Sequence, residues 1–307
     1  MTATGEPLAW GVFGVVIAVM LALDLGVFHR QAHVIRTREA AIWSLVWIGL
    51  ALLFNLLVYF RAGADKGLEF FQAYLIEKAL SVDNLFVFLA AFSFFAVPAN
   101  LQHRVLFWGI LGALVTRGVF IAVGAALLAA FHWVTYIFGV FLVLTAARLL
   151  FGGDEEVHPE KNPVLRLFRR FVRSTPDYAG KHFFVRQGGK LFATPLLTVL
   201  VVIEATDVVF AVDSIPAVFG VTRDVFIVYT SNIFAVLGLR ALTFLVARLV
   251  QRLRYLKVGL ALVLAFVGAK MLIADRFRIP ELVSLAVVAG LIGLSALVSL
   301  LVPAKRD

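Results

Sequence analysis

The chain has 307 residues, of which 62% are hydrophobic and only 15% are charged, and its mean hydropathy is +0.97. Soluble domains are only about half apolar, so this composition excludes a soluble globular protein and indicates an integral membrane protein. The formal charge is +9, and the lack of cysteine excludes disulfides, thiolate metal ligands and thiol redox chemistry within the chain.

Apolar runs long enough to span a bilayer recur along almost the whole sequence. A spanning helix needs about 20 predominantly apolar residues. Runs of this kind predict an all-α bundle of nine spans, at residues 8–28, 40–60, 69–96, 105–130, 133–151, 191–219, 225–247, 256–274 and 281–302. No basic residue precedes the first run, so we expect it to persist as a helix instead of being cleaved as a signal. Residues 1–307 are therefore predicted to form one transmembrane domain.

The first predicted span carries a single acid, Asp24, which lies five residues before His29. Two interpretations of this residue stay open. It is either an ordinary acid at a helix end or a member of a functional set of intramembrane acids.

The third span contains the segment YLIEKALSVDNLFVF, residues 74–88, with Glu77 and Asp83 inside an otherwise apolar run. Carboxylates at this depth are costly and are functional candidates by default. Ser81 and Asn84 could contribute further oxygen atoms or compete for backbone hydrogen bonds.

Five basic residues also lie within predicted spans. Arg117 in the fourth span and Arg240 in the seventh sit deep, so they need partners, and the nearest candidates are the intramembrane acids. Arg148 and Lys270 lie close enough to span ends for their charges to reach the headgroups. The fifth is Lys78, next to Glu77.

The predicted loop 152–190 is long and basic. Its segment NPVLRLFRRFVRS places apolar residues on one helical face and arginines largely on the other. This pattern is typical of an interfacial helix lying on anionic lipid. The alternative is a connector whose basic residues only set topology. The later segment RQGGK lacks the spacing and the preceding strand of a phosphate loop.

The sixth span contains VVIEATDVVFAVDSIPAVFG, residues 201–220. Glu204 and Asp207 share a helical face, but Asp207 and Asp213 are turned by about 240° from each other in an ideal helix. Pro216 could supply a distortion that brings both to one site, because it frees the carbonyl of Val212 as a cation ligand. Ser214 follows Asp213 as a supporting oxygen donor.

The two acidic segments align with each other. Glu77 matches Asp207 and Asp83 matches Asp213, and the two acids of each segment are six positions apart. The alignment predicts two three-span repeats, residues 69–151 and 191–274, separated by the basic loop. An odd number of spans places the two units in opposite orientations, a plan that builds a substrate site at the midplane of a transporter.

Basic residues are distributed unevenly between the predicted loops. With the amino terminus outside, the inner loops carry 18 Lys and Arg residues and the outer loops carry five. This asymmetry is the positive-inside signature and places the carboxyl terminus in the cytoplasm. Because topology explains the excess of basic residues on one side, nucleic acid is not expected as a partner.

The intramembrane acids outnumber the deep bases, which are Lys78, Arg117 and Arg240. Converging acids repel one another unless a cation or a proton neutralises them. The structural alternative is that the acids only pair with these bases and hold the bundle together. Carboxylate, amide and carbonyl ligands suit manganese, magnesium or calcium, and the lack of Cys and of His within the spans argues against copper and zinc.

Segments 74–88 and 194–219 closely resemble the two signature segments of the TerC family, the tellurium-resistance membrane proteins, and the likeness extends over nearly the whole chain. It implies a LysE-type bundle with inverted repeats in the inner membrane. The implied function is export of manganese(II) from the cytoplasm, with proton coupling as an option, by a transporter that is not an enzyme and has no tightly bound cofactor.

By this resemblance the metal or ion-pathway residues are Asp24, Glu77, Asp83, Glu204, Asp207 and Asp213, with Asn84, Ser214, Asn232, Arg117 and Arg240 in support. Two rival functions remain. One is resistance to tellurite through binding of the oxyanion by Arg117 and Arg240, which the surplus of acids disfavours. The other is a membrane scaffold that transports nothing.

Overall fold

The computed structural model describes residues 7–28, 37–151, 163–246, 255–277 and 279–301. Within these ranges the chain is α-helical apart from one short hairpin. The helices are α1 (Pro7–Phe28), α2 (Thr37–Ala62), α3 (Ala64–Phe94), α4 (Ala99–Ala130), α5 (Val134–Phe151), α6 (Pro163–Phe171), α7 (Pro195–Phe219), α8 (Val225–Leu237), α9 (Leu239–Val246), α10 (Leu256–Ile273) and α11 (Glu281–Leu301), and the strands are β1 (Phe184–Gln187) and β2 (Lys190–Ala193).

Within the described residues, six helices are long and apolar enough to cross a membrane: α2, α4, α5, α7, α10 and α11. The predicted seventh span is divided between α8 and α9 at Gly238. Helix α3 has 31 residues but carries Glu77, Lys78 and Asp83 in its middle, which lowers its hydropathy. The helical membrane architecture is confirmed in outline, and the count of nine spans stays a prediction.

The sixth predicted span begins later than expected, because residues 191–193 belong to β2. Strands β1 and β2 pair antiparallel, from Phe184 opposite Ala193 to Gln187 opposite Lys190. Gly188 and Gly189 form the turn with φ of +56° and +77°, a left-handed geometry that only glycine adopts without cost. The all-α prediction therefore missed this hairpin, which the glycine pair in RQGGK makes possible.

Helix α5 lies along α10, α3 along α8, and α4 along α7. Glycines bring the backbones of α5 and α10 together. A Cβ atom at position 268 would lie 2.8 Å from the carbonyl oxygen of Gly139, and one at position 139 would lie 3.0 Å from the carbonyl oxygen of Gly268. Small residues of this kind permit close helix contact in membranes, where packing drives association.

We expect Gly268→Leu to lower the melting temperature of the detergent-solubilised protein, because the new side chain must push α5 away from α10. Overpacking of this kind costs about 1–3 kcal/mol or more. Gly290→Leu on α11 is the matched control, since nothing lies within 4 Å of a Cβ atom there. Equal melting temperatures for both variants would contradict this packing.

Polar contacts join helix ends at the side of the bundle where α3 and α8 begin. The ammonium of Lys66 lies 2.7 Å from Glu69 Oε2 and 3.5 Å from Asp224 Oδ2. Asp224 also caps α8 by accepting from the amides of Phe226 and Ile227. Lys270, predicted to reach the headgroups, lies 3.2 Å from Oε2 of Glu281, the first residue of α11. These contacts hold α3, α8, α10 and α11 together at their ends.

Candidate functional site

Arg117 on α4 is the centre of a buried polar cluster and is 0% exposed. Its Nε and Nη2 donate to the two carboxylate oxygens of Asp207 at 3.2 and 3.0 Å. Its Nη1 donates to Glu77 and, at 3.2 Å, to the amide oxygen of Asn232. The forked contact with Asp207 is the strong bidentate form of an arginine–carboxylate pair. One guanidinium therefore joins α3, α4, α7 and α8.

This cluster contains one acid from each of the two acidic segments. The sequence predicted that intramembrane acids would be the partners of Arg117, and the structure identifies them as Glu77 and Asp207, the two residues matched by the repeat alignment. Two carboxylates face one guanidinium, so one formal negative charge is left over. Among the described residues, Glu77 Oε2 has no hydrogen-bond partner although it is buried.

A cavity of about 80 Å³ adjoins the cluster. Its lining residues are Glu77, Leu80, Asn84, Arg117, Thr145, Leu149, Phe210, Asp213, Ser214 and Leu264. Polar atoms of both acidic motifs thus meet in one space, and the buried hydroxyl of Ser214 has no hydrogen-bond partner within the described part of the chain. A cavity of this size, with polar groups in a largely apolar lining, has room for several waters or for an ion with part of its hydration shell.

Asp213 faces α5 across this cavity. It forms a side-chain hydrogen bond with Thr145, and the charge of Arg148 acts on it. Arg148 is exposed and Asp213 is partly buried, so the expectation that Arg148 reaches toward the headgroups stays a prediction. Thr145 was missed by the sequence analysis, and its only signal is its position one helical turn before Arg148.

Asp207 and Asp213 point to different neighbours. Helix α7 runs as one helix through Pro216, so the predicted distortion that would bring both acids to one site is not present. Asp207 lies against Arg117 of α4, whereas Asp213 lies beside Thr145 of α5. The turn of about 240° between residues six apart explains this separation.

Glu204 lies one turn before Asp207 and packs directly against α4. A Cβ atom at position 112 would collide with the Glu204 carboxylate, so Gly112 leaves the space that this acid occupies. Glu204 does not line the cavity that holds Asp213. The structure therefore places it beside the arginine cluster, on the side of α7 that faces α4.

Lys78 lies where the apolar run 225–247 is interrupted. Its ammonium donates to the carbonyl oxygen of Ala235, in the last turn of α8, at 3.1 Å. A Cβ atom at Gly238 would lie only 2.6 Å from this ammonium. A cation at a helix carboxyl end is favourable because the unpaired carbonyls carry partial negative charge. Lys78 thus stabilises the end of α8.

Three predicted site residues lie on helices without a described side chain: Asp24 on α1, Asp83 on α3 and Arg240 on α9. Among the side chains that are described, no three acidic or histidine groups lie close enough together to hold a metal ion by themselves. Glu77 and Asp213 both line the cavity. Asp207 pairs with Arg117 and does not line it, and Glu204 lies one helical turn before Asp207. Assignment of the six acids as one ion pathway stays a prediction.

Comparison with known proteins gives matches over the whole chain. The family model "Integral membrane protein TerC family" matches residues 62–307. An "Uncharacterized membrane protein STKORF319" of Myxococcus xanthus is 52% identical over 97% of this chain and 94% of its own. The "Putative membrane-bound redox modulator Alx" of Escherichia coli (strain K12) is 48% identical over 100% of this chain and 98% of its own. No solved structure matches the chain.

Proposed function

The chain belongs to the TerC family of integral membrane proteins, and on that premise we propose that it transports a divalent cation, with manganese(II) exported from the cytoplasm as the expected cargo. The observation that carries the proposal is the cavity of about 80 Å³ between the two acidic motifs. The buried oxygen atoms of Glu77 and Ser214, which have no hydrogen-bond partner among the described residues, are available as ligands for a cation.

The chemistry of the lining favours a hard cation. Glu77 and Asp213 supply carboxylates, Asn84 supplies an amide oxygen, and Thr145 and Ser214 supply hydroxyls. Oxygen ligands of this kind suit manganese, magnesium and calcium. Around the cavity, the carboxylates of Glu77, Asp207 and Asp213 outnumber the guanidiniums of Arg117 and Arg148, which favours a cation over an oxyanion such as tellurite.

The packing supports the proposed inverted repeats. If α3, α4 and α5 exchange with α7, α8 and α10, the contact of α3 with α8 becomes that of α7 with α4, and both contacts exist. The contacts of α5 with α10, α3 with α7 and α4 with α8 each map onto themselves. Two equivalent halves around a central site are the arrangement of many secondary transporters.

We further propose that the protein resides in the inner membrane with its amino terminus outside and its carboxyl terminus in the cytoplasm. The uneven distribution of basic residues between the loops supports this orientation. In that arrangement α6 and the hairpin lie on the cytoplasmic side. The ends joined by Lys66, Glu69 and Asp224 then face outward.

A membrane scaffold is the second candidate, and the arginine cluster is the observation that favours it. Arg117, Glu77 and Asp207 form a buried network that could serve only to fix four helices. Several relatives are named redox modulators, and this chain has no cysteine that would supply thiol redox chemistry. A scaffold function does not explain the surplus carboxylate or the cavity.

Cation flux in proteoliposomes tests the proposal. We expect the purified protein to move manganese down an imposed gradient faster than protein-free liposomes do, and to move zinc poorly. Repeating the assay with an imposed pH gradient tests proton coupling. No protein-dependent flux of manganese, magnesium or calcium under either condition would overturn transport and favour the scaffold.

A further inference from the structure

Residues 163–194, here called the hairpin unit, comprise α6, the β-hairpin and the turn between them. The unit is fixed to the helix bundle at three points. Leu165 is 1% exposed and packs with Ala91 of α3 and Val202 of α7. The hydroxyl of Tyr178 donates to the carbonyl oxygen of Phe95 at 2.7 Å. Burial raises the pKa of Tyr178 above its ordinary value, so the hydroxyl stays a donor.

Phe183 makes the third attachment and indicates the depth of the unit relative to the membrane. Its ring meets Trp108 of α4 edge to face, with centroids 6.3 Å apart, and the guanidinium of Arg104 lies 5.2 Å from its centroid. Trp108 is itself partly exposed near the start of α4. Tryptophan and arginine near the end of a spanning helix mark the membrane–water interface. The hairpin unit therefore lies at headgroup depth.

Four large apolar side chains of the unit are exposed. Leu167, Phe171, Phe184 and Leu191 are 57%, 75%, 50% and 60% exposed. Phe184 and Leu191 project from the same face of the hairpin, because Phe184 pairs with Ala193 and Arg186 pairs with Leu191. Large side chains exposed together at this depth indicate contact with something apolar.

The hairpin unit is also strongly basic. Among its described side chains, the exposed basic residues are Arg166, Arg170, Arg173, Lys181, Arg186 and Lys190, of which Arg186 projects from the same face of the hairpin as Phe184 and Leu191. Asp177 is the only acid in the sequence of the unit. Apolar side chains combined with a surplus of Lys and Arg are typical of a surface that inserts among anionic headgroups. A soluble protein partner would not explain why the surface lies level with Trp108.

We propose that the hairpin unit, through both α6 and the β-hairpin, inserts its apolar residues into the leaflet on its side and binds anionic phospholipid headgroups with its arginines. The surface extends beyond the amphipathic helix, since Phe184, Arg186 and Leu191 of the hairpin belong to it. Leu165 and Tyr178 connect the bound lipid to α3 and α7, the helices that line the cavity. The inference does not depend on cation transport.

The lack of native cysteine allows a direct test with single-cysteine spin labels. Labels at Phe171→Cys and Phe184→Cys are placed on the full chain in nanodiscs of phosphatidylcholine with or without phosphatidylglycerol. With the anionic lipid, we expect both labels to be more accessible to oxygen than to a water-soluble nickel chelate. A label at Asp177→Cys, exposed on the turn, is the matched control and should stay accessible to the chelate.

The charge dependence is tested with Arg166→Gln and Arg170→Gln in the labelled proteins. Each lost arginine should weaken association with the anionic surface about fivefold. An unchanged label at Asp177→Cys shows that the unit keeps its fold. Chelate accessibility at both apolar positions in both lipids would overturn the proposal, and so would insertion that is equal with and without phosphatidylglycerol.

Discussion

Arg117→Met is expected to lower the free energy of unfolding by on the order of 3–5 kcal/mol, because it removes the only guanidinium that contacts Glu77 and Asp207 in the described cluster. Both carboxylates are almost fully buried. Without Arg117 they would be left as unpaired charges in a medium of low dielectric. The measurement is thermal melting in detergent together with the abundance of the protein in membranes.

A matched rescue separates this effect from simple loss of packing. In the Arg117→Met background, Glu77→Gln and Asp207→Asn remove the two stranded charges and should restore most of the melting temperature. Replacing a whole buried ionic cluster by neutral groups is often close to neutral for stability. A triple variant that melts as low as Arg117→Met would show that the charges of this cluster are not what holds α3, α4 and α7 together.

Asp213→Asn should abolish cation flux while leaving the protein folded. The amide keeps the shape of the side chain and can still accept from Thr145, but it loses the charge that attracts a divalent ion. Asp83→Asn is expected to behave in the same way, because the repeat alignment matches the two residues. The measurements are manganese efflux from proteoliposomes and melting of the same preparations.

Glu281→Gln is the control for an acid-to-amide change away from the cavity. Glu281 lies on α11 and pairs with Lys270, so its replacement should leave flux unchanged. Normal manganese efflux in Asp213→Asn would rule out this cavity as the transport site. A large loss of melting temperature in Asp213→Asn with efflux unaffected would assign the acid a structural role instead.

The helical membrane fold follows from the composition and from the lengths of the apolar runs, and most helix positions agree within a few residues. The hairpin was missed because its strands are only four residues long and one of them adjoins an apolar run. The break at Gly238 was missed for a related reason. Residues 225–247 contain no proline and no charge cluster, and the space that Gly238 leaves is filled by Lys78, which is remote in sequence.

The candidate site was predictable in its residue types and only partly in its pairings. Burying Glu77 and Asp207 without partners would be unfavourable, so a basic residue was expected nearby. The structure confirms Arg117 as that residue. The sequence did not indicate that Arg148 acts on Asp213, because the rotation of α5 about its axis depends on the contact between Gly139 and Gly268. Positions six apart on α7 did follow ideal helix geometry, and Pro216 did not alter it.

The interruption at Gly238 makes the two halves of the bundle mechanically unequal. In the proposed repeats, α4 of the first half is one continuous helix of 32 residues, whereas the matching segment of the second half consists of two shorter helices, α8 and α9, separated at Gly238 next to Lys78. The two halves therefore cannot simply exchange conformations, because α4 would have to bend at a point where its helix is continuous. We expect any opening of the protein to begin with a rotation of α9 relative to α8, while α4 stays in place.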